Sequence, residues 1–131
     1  MKRRLLIALA APALLAGLAL AQTPVKPDVF GTWVGNAVVG NDGTQVELTV
    51  VIEKTAAVYA GKISDSTGMV PETPLRQIAF KDNKLTFEFD LVQGAETTLI
   101  KIELLYDKET LKGVWYDPAG DSGAVELALK K

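Results

Sequence analysis

The sequence predicts an all-β protein, an eight-stranded antiparallel up-and-down barrel, on three observations. Beyond residue 30 apolar and polar residues alternate through most of the chain, the period of a strand with one buried face. The breaks between alternating runs are short and rich in Asn, Asp and Gly, which suits hairpins rather than the long crossovers that parallel strands need. The pattern also recurs. A shift of 52 residues lays Leu48, Val50 and Ile52 on Ile100, Ile102 and Leu104, and Gly61, Asp65 and Gly68 on Gly113, Asp117 and Gly120. The chain therefore reads as two four-strand halves of one design. An open β-sandwich is the alternative.

The strands follow in order. The first, at 31–39, carries Trp33 and Ala37 on one face. The second, QVELTVVIEK at 45–54, turns Val46, Leu48, Val50 and Ile52 to one side. If Asp42-Gly43 forms a type I′ turn, Ala37 faces Leu48, Gly35 faces Val50 and Trp33 faces Ile52. Weaker runs at 59–64 and 75–81 flank the one long connection, 64–74. KLTFEFDLV at 84–92 and the run at 97–106 meet about Gly94-Ala95, which pairs Phe89 with Ile100, Phe87 with Ile102 and Leu85 with Leu104, with Glu88 against Lys101 outside. Runs at 110–116 and 123–130 complete eight strands. Closing the sheet removes both exposed edges. Gly35, Gly61 and Gly113 on the inner side would permit tight coiling, or leave a void.

The chain start has another character. Met1-Lys2-Arg3-Arg4, an apolar run from Leu5 to Leu18, and Ala19-Leu20-Ala21 follow the order of an export signal, with cleavage expected after Ala21. The apolar run is too short, and too interrupted by Pro12 and Gly17, for a spanning helix of ~20 residues. Residues 22–28 read as an extended leader and 29–131 as a single domain. Removing three basic residues with the signal leaves 11 of the 14, against 16 acidic ones, a net charge of −5. That balance argues against nucleic acid and anionic membrane as partners. The chain has no cysteine, so the expected periplasmic or secreted domain is held by its core and hydrogen-bond ladders alone.

Chemistry is sparse. Gly120-Asp121-Ser122-Gly123 matches the neighbourhood of a hydrolase serine, but the chain has no histidine to take the hydroxyl proton. Asp42, Asp65, Glu72, Asp117 and Asp121 fall in connections at one barrel end, without the spacing of a calcium loop. Zinc lacks its imidazole and thiolate ligands. No catalytic residue, metal or cofactor is expected.

Gly31-Thr32-Trp33, at the start of the first strand, resembles the Gly-x-Trp signature of the lipocalins and their calycin relatives. The likeness covers three residues and the strand order. It implies a barrel that carries a small apolar ligand, with Trp33 plugging one mouth. The candidate ligand contacts lie toward the other mouth. Counting back from the Asp82-Asn83 turn pairs Arg76 with Phe89 and points it inward, where its planar fork could grip a carboxylate. The 52-residue recurrence turns Leu75 and Gln77 inward instead, a bulge near Gln77 would reconcile the two, and in the other reading Arg76 reaches water at the rim. Met69 and Val70, apolar in a polar loop, could form a lid, a docking site or a plug. Tyr59, Phe89 and Trp115 are the remaining expected lining. The predicted function is binding of a small apolar or amphipathic molecule. The alternative is a filled barrel that contacts an envelope protein through its outer face or loops.

Overall fold

The computed structural model describes residues 27–131. The expected export signal, and all of the leader before Pro27, lie outside the described residues. The alternating runs form β1 (Gly31–Val39), β2 (Thr44–Thr55), β3 (Val58–Asp65), β4 (Thr73–Pro74), β5 (Arg76–Lys81), β6 (Lys84–Gln93), β7 (Glu96–Asp107), β8 (Thr110–Tyr116) and β9 (Ser122–Leu129). They build one antiparallel sheet in the order β4-β3-β2-β1-β9-β8-β7-β6-β5. The first and last strands of that order are neighbours in the chain, joined through Leu75. The sheet therefore curls back on itself into a nearly closed barrel, where a sandwich would divide it in two.

Nine strands replace the expected eight because one run serves two neighbours. At its start Thr73 and Pro74 pair with Ile63 and Lys62 of β3. Pro74 has no N–H with which to continue a ladder. Leu75 then donates its amide to the Gly61 carbonyl at 2.9 Å and buries its side chain. From Arg76 onward the chain pairs with β6, and the register shifts between Arg76 and Ala79 around Gln77, which has φ +54°. This bulge re-aims the run from one edge of the sheet to the other.

A second correction concerns β1 and β2. Ala37 pairs with Val46, Gly35 with Leu48 and Trp33 with Val50, two residues away from the expected register. The turn is longer than Asp42-Gly43 alone. It runs from Gly40 to Gly43, with φ +79° at both glycines, and the Asp42 carboxylate accepts from the backbone and hydroxyl of Thr44. A slip of two preserves which face is buried, so the inward set is unchanged. The register of β6 and β7 is the expected one, from Leu85–Leu104 to Phe89–Ile100, with Glu88 opposite Lys101.

The 52-residue recurrence is visible as geometry. β2 and β7 span positions 52 apart at both ends. The two-residue turns after them, Ala56-Ala57 and Lys108-Glu109, have φ pairs of 50° and 71° and of 51° and 66°. Gly61 packs against the backbone of Val51 and Ile52, and Gly113 against that of Glu103 and Leu104. The inward glycines leave no void. A Cβ on Gly35 would fall 1.9 Å from the Glu126 carbonyl oxygen, and one on Gly113 at 1.9 Å from that of Glu103. The neighbouring strand occupies the space, so these positions allow tight coiling.

Side chains from all around the sheet share one core. Ile52, Leu85, Leu104, Leu111 and Leu127 are almost fully buried, and no polar or charged residue is buried among the described residues. Outside, Glu47, Lys62, Lys101, Lys112 and Glu126 face solvent. An apolar interior within a charged exterior is the inverse of a bilayer-spanning barrel. Gly35→Ala and Gly113→Ala should each lower the unfolding free energy by about 1–3 kcal/mol or more through overpacking. Thr49→Ala on the outer side should shift it by less than about 0.5 kcal/mol. Urea unfolding of the three variants checks this.

Candidate functional site

The two ends of the barrel differ. At one, the indole of Trp33 is 1% exposed and donates from Nε1 to the Val29 carbonyl at 2.9 Å. Tyr106 meets it edge-on at 6.2 Å between ring centres, and Phe80 meets Tyr106 at 6.1 Å in the same manner. The chain entering β1 is tied across this end. Asp28 accepts from Tyr59 Oη at 2.5 Å and from Lys54 Nζ at 2.7 Å. Partial burial pushes the Asp28 carboxyl upward, but the bonds from Lys54, Tyr59 and the Val29 amide outweigh it and hold the group below its ordinary value. This end is solid.

The other end carries the connections 40–43, 66–72, 94–95 and 117–121. Between them an apolar cavity of about 130 Å³ opens into the barrel. Phe89 of β6 and Trp115 of β8 form part of its wall, Ala37, Leu48 and Ile63 line it from the first half of the chain, and Met69 and Val70 cover it from the loop. Val70 is buried, whereas Met69 remains 41% exposed. The Trp115 ring is fixed by a bond of 2.8 Å from Nε1 to the Val38 carbonyl. Gly123 permits that bond, because a Cβ there would lie 2.0 Å from the same carbonyl oxygen and 2.5 Å from Nε1.

Four of the expected contact residues therefore meet: Met69, Val70, Phe89 and Trp115. Tyr59 does not, since its hydroxyl is engaged with Asp28 at the closed end. Arg76 does not either, and of its two readings the structure takes the outward one. The bulge at Gln77 turns it to the outer face, opposite Glu88 rather than Phe89. There it grips Asp90 with both nitrogens, Nη1 to Oδ2 at 2.6 Å and Nη2 to Oδ1 at 3.0 Å. Half-exposed, it forms a surface pair.

One charged side chain lines the cavity, and the sequence reading had placed it only among acidic loop residues: Asp65, the last residue of β3. Its Oδ1 accepts from the Val70 amide at 2.8 Å and its Oδ2 from Thr67 Oγ1 at 2.5 Å, while its own amide donates to the Val70 carbonyl at 3.0 Å. Partial burial raises the carboxyl, but the Thr67 hydroxyl and the amides of Val70, Gly68 and Thr67 together hold it below the ordinary 3.8. Asp65 thus stays ionised and shapes the loop that carries Met69 and Val70. Fifty-two residues later Asp117 folds its own loop with like hydrogen bonds, its Oδ1 accepting from the amides of Ala119 and Asp121. Gly68 and Gly120 supply positive φ at matching places in the two loops.

Ser122 opens β9 on an exposed stretch, and among the described residues no three acidic side chains gather closely enough to hold a metal. Compared with protein-family models, curated proteins and solved structures, the chain matches none of them.

A carboxyl held down in the folded state stabilises it above the unfolded pKa, and that contribution is lost as pH falls through the folded one. Acidification below 3.8 should accordingly release the loop from Asp65. The Val70 amide proton resonance should titrate with a midpoint below that value, and Asp65→Asn should abolish the inflection.

Proposed function

We propose that this protein is an exported, non-enzymatic binding protein, lipocalin-like in design, that takes one small apolar group through its loop-bearing mouth. The cavity between the Met69–Val70 loop, Phe89 and Trp115 carries this reading. Its volume of about 130 Å³ is near that of a protein cavity known to admit benzene, ~150 Å³, and well below the ~300–1,000 Å³ of sites for drug-sized ligands. The occupant is therefore one ring or one short branched chain, not a long lipid. Its site is pre-formed, apolar, and bounded by a loop that one hydrogen-bonded carboxylate holds in place.

A second reading keeps a place because of the outer face. Val34 and Val38 of β1 and Ala124 and Ala128 of β9, with Asn36, Gln45, Thr110 and Glu126 among them, line a shallow groove of about 440 Å³ of mixed character. An envelope protein could contact the barrel there without using its interior.

The two indole N–H resonances separate these readings. Single-ring probes such as toluene should shift the Trp115 resonance and leave that of Trp33 in place, while long-chain fatty acids should move neither. Ala37→Leu, which adds a branched side chain inside the cavity, should weaken the response at least tenfold. If no single-ring probe shifts Trp115, the binding reading fails and the outer face becomes the better candidate.

A further inference from the structure

We infer that the apolar group taken by this cavity belongs to a small organic ammonium, an arylalkyl or branched alkyl amine whose charge stays at the mouth beside Asp65. This rests on the binding reading above. The cavity supplies the contact surface and has room for a single ring. What remains is the sign of the charge that its surroundings favour.

Asp65 is the sole charged side chain in the wall, and it is an anion. Among the described residues no lysine or arginine pairs with it. Its two bonds from Val70 and Thr67 leave it charged. The four connections around the mouth carry Asp42, Glu72, Asp117 and Asp121 and contain no lysine or arginine. Of these Glu72 is engaged by Lys62 at 3.0 Å. The opposite end is mixed, with Asp82 and Glu109 set against Lys108, Lys130 and Lys131. Arg76, the expected partner of a carboxylate ligand, is turned outward onto Asp90.

The potential over the mouth is therefore negative, and the apolar wall beneath it screens that field poorly. A carboxylate held there would meet like charge. A neutral ligand would bind through the cavity alone. An ammonium would add Coulomb attraction at the rim while its hydrocarbon part fills the void.

Three near-isosteric probes test this: 2-phenylethylammonium, 2-phenylethanol and 3-phenylpropionate, each titrated while the Trp115 indole N–H resonance is followed. The ammonium should bind about tenfold more tightly than the carboxylate, with the alcohol between them. The spread should close near 1 M salt, where the screening length is ~3 Å. Both Asp65→Asn and Asp121→Asn should narrow it, and Asp121→Asn should leave alcohol affinity unchanged. Asp121 is the cleaner variant, because its backbone rather than its carboxylate holds the loop. If Asp65→Asn also weakens the alcohol, Asp121→Asn and the salt series decide. Equal affinities, or a preference for the carboxylate, would overturn the ammonium inference and leave the cavity reading standing. Failure of all three while toluene still shifts Trp115 would overturn the ammonium inference alone, and failure of toluene as well would overturn both.

Discussion

Everything in this barrel depends on backbones that come closer than side chains would allow. At Gly35, Gly61 and Gly113 the adjacent strand lies where a Cβ would sit. Those approaches let β1, β3 and β8 coil strongly enough for a single sheet to meet its own far edge. The curled sheet in turn packs the inward side chains of both halves against one another, which a small domain without disulfides requires. A methyl group at one of these places would hold two strands apart and weaken the packing of both halves together.

Closure also explains the least regular part of the chain. One run of residues must leave β3 and join β6, and no regular strand can pair fully with both. Pro74 ends the first pairing, Leu75 anchors the crossing into the core, and the bulge at Gln77 starts the second. The same bulge decides the fate of Arg76. A guanidinium that regular alternation would aim inward is turned outward, and the interior is left free of cations.

The interior that results is divided. Around Trp33 it is filled by aromatic edges and leucines, and an indole N–H that burial could have orphaned is satisfied by Val29. Toward the loops the wall recedes at Ala37, and Met69 and Val70 approach from above without filling the space. The loop holds its place because Asp65 folds it with local hydrogen bonds. A carboxylate used in this way is both a structural group and a fixed negative charge at the rim of an apolar void.

The local features were legible in the residues. Alternation located every long strand to within a few residues, and the Gly94-Ala95 turn set the β6–β7 register, because both depend on neighbours in sequence. Met69 and Val70 could be assigned to one mouth because an up-and-down order fixes which connections share an end. Tyr59 could not be placed, and Arg76 stood between an inward and an outward reading. The first was captured by Asp28, thirty-one positions away, and the second was redirected by a bulge whose cause is the need to pair with two distant strands. The four-residue turn at Gly40–Gly43 misled in the same way, since Asn-Asp-Gly fits more than one turn length. What the sequence determined by itself was the strand period, the inward face and the charge balance, all set by the order of side chains along the chain. Only the tertiary structure decided the closure, the size of the cavity and the exclusion of Arg76 from it, because each is a distance between residues that the chain order leaves free.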